Sequence, residues 1–333
     1  MNFSLIVCTY MRPKALLTLL NSVKKQSLYP NEILIIDGST DTQTQDMLTN
    51  EPFDNLEYYL VDERHRGLTK QRNFGIAKVT SDSEVIAFVD DDTKLSKNYF
   101  KVLIDTFKRD SNITGVGGVA ANEYRWEKKN LDIKYNTYRY YSFDNYVYKE
   151  GLRNVFRNYL GLQSNQLPGV MPSYSNGRTC GYPDTGKVYE VDQLIGMSFS
   201  FKKEVFSKIN FSTYFEGYGL YEDADYSLRA LSFGKNIINT NLKLEHFHEQ
   251  AGRPNKYKYG KMVIRNGWYV WRVKYSNPSL QARFKWNIIA LLLTAIRFSN
   301  IITTHNKREA FSETIGRIVG WWSLIFNKPR IAR

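Results

Sequence analysis

Five apolar residues, Val85 to Val89, run directly into three carboxylates, Asp90, Asp91 and Asp92. The run is too short for a helix and too apolar for a loop, so it predicts a buried strand. Adjacent carboxylates repel one another, and solvent or a hard divalent cation relieves the repulsion. A solvated acidic turn is the common setting for such a triplet. A buried strand that ends in acids suits another setting, because open α/β sheets bind ligands beyond the carboxyl ends of their strands. The triplet therefore points to a sheet with a ligand crevice along one edge.

The flanking sequence repeats that pattern. Asn2 to Cys8 and Ile33 to Ile36 read as buried strands, and Leu56 to Val61 as a third. Between them Arg12 to Gln26 places Ala15, Leu16, Leu19, Leu20 and Val23 at helical spacing, with Pro13 tolerated in the first turn. A glycine turn at Gly67 opens a helix that runs through Ala77. Strands alternating with helices predict a Rossmann-like α/β fold, with a mostly parallel sheet flanked by helices. From 121 to 190 the periodicity weakens among Tyr, Asn, Arg and turn dipeptides, which predicts an irregular lobe. Val191 to Phe201 then reads as a strand and Asp223 to Ser232 as a helix. The organisation expected is 1–120 as one half of the α/β domain, 121–254 as the other, and 255–333 as a helical extension.

Two cysteines in 333 residues, Cys8 and Cys180, make no disulfide framework or zinc site, which fits a reducing compartment. The apolar start lacks a basic leader, so no signal peptide is expected. The net charge of +13 is unevenly spread: residues 250–333 hold 16 basic and 2 acidic side chains, against 30 and 31 in residues 1–249. The positive tail also carries Trp268, Trp271, Trp321 and Trp322 among other apolar residues. Its run Ile288 to Ile296 spans nine residues before Arg297, whereas a bilayer-spanning helix needs about 20. Two readings stand for this tail: helices lying in a membrane interface, or helices packed on the remaining protein with solvated bases.

Several separated segments occur in a characteristic order: Ser4 to Tyr10 with Arg12, Ile35 to Asp41, Gly67 to Ile76, Phe88 to Asp92, Gly196 to Glu204 and Gly217 to Arg229. Together they resemble the family 2 glycosyltransferases of GT-A fold over about residues 3 to 255. The resemblance implies a non-processive, inverting enzyme that moves one sugar from a nucleotide diphosphate donor (UDP, dTDP or GDP) to a glycan acceptor. It implies Mn2+ or Mg2+ as cofactor, and a lipid-linked acceptor in bacterial polysaccharide biosynthesis. With the basic tail, it places the protein in the cytoplasm, peripheral to the anionic inner face of the cell membrane, with no nucleic acid as partner.

The resemblance also assigns roles. Thr9, Tyr10 and Asp37 would hold the nucleoside, and Arg12 and Arg72 would face the nucleotide or its diphosphate, where guanidinium matches phosphate geometry. Asp90 and Asp91 belong to the nucleotide site, and Asp92 is the direct metal ligand. His246 or His248 would add a metal or diphosphate ligand. Asp223 corresponds to the catalytic base, with Glu222 beside it, while Asp225, Met197 and Ser198 would meet the acceptor. This chain has a single Asp before Gly38 where relatives often have two acidic or amide positions, so the register of Asp37 is open by one residue. The Gln-x-x-Arg-Trp signature of processive members is absent. An inactive GT-A protein that binds membrane or nucleic acid through its tail is the competing reading, and retention of configuration is a third.

Overall fold

The structure is a computed structural model that describes residues 1–178, 181–248 and 254–331. Cys180 lies outside the described residues, and Cys8 is a free thiol. The chain forms two compact units, one built from Met1–Glu123 with Asp184–Arg253 and one from Tyr124–Pro183 with Pro254–Arg333.

The first unit begins with β1 (Phe3–Thr9), α1 (Pro13–Val23), β2 (Glu32–Asp37), α2 (Gln43–Asn50), β3 (Leu56–Leu60), α3 (Leu68–Ile76) and β4 (Val85–Val89). It continues through β5 (Thr93–Leu95), α4 (Tyr99–Phe107) and β6 (Ile113–Ala120). The chain then enters the second unit, with β7 (Trp126–Lys128), β8 (Tyr140–Phe143), β9 (Tyr146–Lys149) and α5 (Leu152–Tyr159). It returns to the first with β10 (Val188–Val191), β11 (Ser198–Lys202), α6 (Lys203–Phe206), α7 (Glu222–Ala230) and β12 (Lys235–His246). Three long helices close the second unit, α8 (Lys256–Lys274), α9 (Leu280–Thr303) and α10 (Lys307–Phe326).

The nine-stranded sheet of the first unit has the order β10-β12-β6-β11-β4-β1-β2-β3, with β5 on β12. β4, β1, β2 and β3 are parallel throughout, as are β6 and β12. β11 runs antiparallel between β4 and β6. The expected α/β layering with a mostly parallel sheet is present. From β1 the chain winds outward to β2 and β3, then crosses back to place β4 on the other side of β1. The direction of winding reverses between β1 and β4, which is the point where such sheets open a ligand crevice.

Strand alternation gives the sheet two buried faces. On one, Phe3, Leu5 and Val7 with Val85, Ala87 and Val89 pack against Leu16, Leu19 and Leu20 of α1 and Tyr99, Leu103 and Ile104 of α4. On the other, Phe88 meets Phe199, Phe206 and Phe211, and Tyr226 stacks on Phe211. α3 lies close on this face: a Cβ at Gly75 would stand 2.9 Å from Ile6 and 3.1 Å from Ile36.

Three expectations are corrected. The 124–183 part of the segment expected to be irregular contains the β7-β9-β8 sheet and α5, with Trp126 buried among Tyr141, Phe143 and Tyr148. Strands this short present too few residues for alternation to show. The strand expected over 191–201 is two strands, β10 and β11, which pair at different places in the sheet. The nine-residue apolar run belongs to a 24-residue helix with mean hydropathy 1.4 in its most apolar window, long and apolar enough by length and composition to cross a membrane. Basic residues at 283, 285 and 297 interrupt the run in sequence, but they do not interrupt a helix.

In the second unit, α8 and α10 approach backbone to backbone. A Cβ at Gly260 would overlap the Glu313 carbonyl oxygen, and one at Gly316 the Tyr257 carbonyl oxygen. Arg178 pairs with buried Glu150, its guanidinium 3.7 Å from the Tyr141 ring centroid.

Candidate active site

The crevice is assembled from strand ends. Thr9 ends β1 and its hydroxyl donates to Asp91 Oδ2 at 2.7 Å. Arg12, just before α1, donates to Asp91 Oδ1 at 2.9 Å and lies 3.9 Å from Asp92 Oδ2. Burial pushes the Asp91 carboxyl up, against the pull of Arg12 and Thr9, to about 6. Asp37, which ends β2, is fully buried; Ser39 N–H donates to its Oδ1 and the Tyr58 hydroxyl to its Oδ2. Tyr10 is left exposed beside it. Gln71 of α3 donates through one amide to both the Thr9 and Ile36 carbonyls, at 3.0 and 2.8 Å. That amide ties the adjacent ends of β1 and β2.

Arg72 is buried against three aromatic rings, with its guanidinium 4.6 Å from the Phe199 centroid. It lies 2.6 Å from Glu222 Oε1 and 3.7 Å from Asp90 Oδ1. A guanidinium stays charged in such surroundings. One cation cannot compensate Glu222, Asp90 and nearby Asp223 together. Burial thus dominates at Glu222, whose carboxyl is pushed up to about 8 despite Arg72.

Asp223 stands in the first turn of α7, where the helix dipole favours a negative charge. Its Oδ2 accepts from Gly196 N–H and its Oδ1 from Ala224 N–H, both at 2.8 Å, so both oxygens are oriented. Burial raises its affinity for a proton. The loop before α7 is fitted to the start of α3 through glycine: Gly67 has φ +117°, and Leu68 N–H donates to the Gly217 carbonyl.

His246 ends β12, with Nε2 3.3 Å from Asp92 Oδ1 and Nδ1 3.0 Å from Glu123 Oε1. Burial alone would lower its pKa, but the hydrogen bonds to Asp92 and Glu123 and the nearby Asp90 charge outweigh burial and raise it to about 10. His248 Nε2 lies 2.7 Å from the same Glu123 oxygen, and the two imidazole centroids are 4.0 Å apart. The chain turns at His248, which has φ +55°.

Donor atoms of Asp90, Asp92 and His246 lie within 4.8 Å of one another, as do those of Glu123, His246 and His248. Two carboxylates and an imidazole form an oxygen-rich set with one nitrogen, which suits Mn2+ and admits Mg2+. The residues fit the divalent cation that the resemblance implies.

Not every expected site residue stands in the crevice. Asp225 is fully buried and held by the Arg229 guanidinium at 2.6 Å, so its carboxylate is engaged within α7. Ser198 is buried with its hydroxyl 2.6 Å from that of Tyr99, and Gly118 N–H donates to it. Met197 is also buried, and its carbonyl accepts from Asp90 N–H. In these positions all three side chains are buried rather than open to an acceptor. Conversely, Glu123 and Gln71 are central to the geometry and were not singled out in the sequence. Gln71 lies in the Gly67 to Ile76 segment beside Arg72 but carries no charge to mark it, and Glu123 is brought to His246 across 123 positions of chain.

Residues 4–162 match the model of glycosyl transferase family 2. The match covers slightly less than half of the chain. A glucosyl-dolichyl phosphate glucuronosyltransferase of Haloferax volcanii is 28% identical over 129 residues, which are 37% of this chain and 40% of that protein. Among solved structures, the mannosyltransferase PcManGT of Pyrobaculum calidifontis, in complex with GDP-Man and Mn2+, superposes with TM-score 0.54 at 13% identity, covering 98% of this chain and 88% of that one. Residues 1–349 of S. aureus TarS superpose with TM-score 0.53 at 17% identity, covering 98% and 81%. This chain spans 47% of a longer TarS structure. At these identities the likeness is one of fold, and that fold is the GT-A glycosyltransferase fold with a C-terminal helical region.

Proposed function

We propose that the protein is a metal-dependent, inverting glycosyltransferase that moves one sugar from a nucleotide diphosphate donor to a glycan acceptor. The observation that carries this reading is the convergence of Asp90, Asp92 and His246 at the reversal point of the sheet, with Asp223 oriented by two backbone N–H groups on the adjoining helix. Tyr10 would face the base, with Thr9 and buried Asp37 behind it. Arg12 and Arg72 set the charge of the aspartates rather than standing as bare phosphate hooks.

In the reaction, the acceptor hydroxyl oxygen forms a bond to the anomeric carbon as the bond from that carbon to the phosphate oxygen breaks. Asp223 accepts the hydroxyl proton on the face opposite the leaving diphosphate. Its raised proton affinity favours that transfer, which is worth about 10² to 10⁴-fold. A bound Mn2+ or Mg2+ would supply Lewis-acid neutralisation of the departing diphosphate. Asp92, Asp90 and His246 would hold that ion, and Glu222 with Arg72 fixes the position of Asp90 beside it.

The acceptor is proposed to be lipid-linked, as in polysaccharide assembly. The name of the Haloferax volcanii relative supports this, and so does the concentration of positive charge in residues 250–333. The protein would then work as a peripheral enzyme at an anionic cytoplasmic membrane face. Thermal shift with UDP-, dTDP- and GDP-sugars, each with and without Mn2+, tests the donor assignment, because a ligand that binds the folded state raises its stability. The expected result is stabilisation by one nucleotide class, increased by Mn2+ and lost in Asp92→Ala. No Mn2+-dependent shift with any donor would leave the inactive, tail-binding reading in its place.

A further inference from the structure

α9 and α10 each carry a line of exposed apolar side chains. On α9 the line is Leu280, Phe284, Leu291, Phe298 and Ile302, which fall within about 20° of one direction on an ideal helix. On α10 it is Phe311, Ile315, Ile318, Trp322 and Ile325, at intervals of four, three, four and three residues. Their exposures run from 37% to 82%, well beyond scattered surface hydrophobes.

The other side of each helix is packed. α9 buries Trp286, Ile289, Ala290 and Thr294, with Trp286 stacked on Trp271 of α8. α10 buries Ala310, Thr314, Gly316, Gly320 and Leu324. Arg297 of α9 lies 2.9 Å from Glu313 of α10, which also holds Arg317. A helix with one face packed on protein and a basic residue bonded to its neighbour is poorly suited to cross a bilayer, although α9 is long enough. A packed helix with a single apolar stripe is suited to lie in the plane of the interface.

Charge decides between a lipid surface and another protein copy. Glu309 and Glu313, the two acids of residues 250–333, each sit beside basic side chains, Glu309 beside Lys256 and Glu313 beside Arg297 and Arg317. Arg283, Lys307, Arg308, Lys328 and Arg330 are exposed around the two helices. Two such surfaces brought together would repel, whereas an anionic bilayer complements them.

We infer that α9 and α10 insert their apolar stripes in-plane into an anionic lipid surface without spanning it. The inference rests on the membrane-face reading above and names the surface and the mode of contact. The test is co-sedimentation of the full chain with vesicles of phosphatidylcholine, alone and with added phosphatidylglycerol. Binding is expected to require phosphatidylglycerol, to weaken in high salt, and to reverse in alkaline carbonate. Phe298→Glu with Trp322→Glu is expected to weaken it about tenfold or more, from lost apolar burial. Lys307→Glu with Arg308→Glu is expected to weaken it without touching the stripes. Circular dichroism and the donor thermal shift of each variant should match the parent, so a failed donor assignment is seen separately from failed membrane binding. Equal binding to both vesicle types, retention after alkaline carbonate, or concentration-dependent self-association abolished by the stripe variants in place of vesicle binding would each overturn the inference.

Discussion

The strand-end site and the C-terminal helices break the ordinary rule of burial in opposite senses. At the site, charges lie inside: Arg72, Glu222, Asp91 and Asp92 are all less than a tenth exposed. On α9 and α10, large apolar side chains lie outside. Unpaired buried charges cost several kcal/mol each, and exposed apolar surface gives up about 25 cal/mol per Å². The two departures differ in how they are compensated. The site compensates from within, the Arg12 and Arg72 guanidiniums set against neighbouring carboxylates, and is left with an excess of negative charge that a cation would relieve. The helices have no such internal compensation, and only something outside the protein can supply it. A site that binds small ions and substrates can therefore be read from its internal imbalance, and a docking face from what it leaves uncovered.

The largest test of this contrast removes the proton acceptor. Asp223→Asn keeps the size of the side chain and one of its two acceptors of backbone N–H groups, and should lower kcat by about 10² to 10⁴-fold with little change in donor affinity, measured by steady-state kinetics and donor titration. A variant with unchanged kcat would mean that internal imbalance at this position has no chemical use. Next comes the cation at the centre of the charge set. Arg72→Met leaves Glu222 and Asp90 without their guanidinium, and urea denaturation above about pH 8, where Glu222 is ionised, should report a loss of about 3 to 5 kcal/mol, partly restored by adding Glu222→Gln.

A smaller effect is expected outside the direct ligand set. Glu123→Gln weakens the carboxylate that fixes His246 through Nδ1, and should reduce Mn2+ affinity by about 10 to 100-fold in isothermal titration while leaving the fold intact. Unaltered affinity would reduce Glu123 to a surface partner of the two histidines. The mildest test is titration of the metal-free protein. Glu222 holds a proton to about pH 8 when folded and releases it near 4.5 when unfolded, so the native state binds more protons across that window. Stability should therefore be full below about 4.5 and decline as pH rises toward 8, by at most about 1.4 kcal/mol per pH unit for each such group. Asp91 contributes with the same sign up to about 6. In Glu222→Gln the slope between 6 and 8 should flatten.

The α/β layering was legible in the sequence because Val85–Val89, Ile33–Ile36 and Leu5–Val7 are buried on both faces and appear as unbroken apolar runs. The grouping of Thr9 and Arg12 with the aspartates followed from the family resemblance. Less was legible where structure depends on partners distant in the chain. Trp126 becomes a core residue of the second unit only through the pairing of β7, β8 and β9, whose strands are three or four residues long. Glu123 joins the site only because β12 returns beside β6 and ends at His246. Asp225 lies in the same first turn as Asp223, yet helical periodicity turns it inward toward Arg229. Acidic residues two apart on a helix do not share a face.

The path of the chain through the sheet bears on synthesis and on attempts to shorten the protein. β11, from residues 198–202, is the strand that separates β4 from β6, so the segment matching the family model ends before its own sheet can close. A nascent chain that has emerged only to residue 162 presents the unpaired backbone of β4 and β6, two apolar edges of the kind that seed aggregation. The first four strands must wait for some forty further residues before their neighbour arrives. A fragment cut at the family boundary should therefore be insoluble even though it holds the whole aspartate triplet.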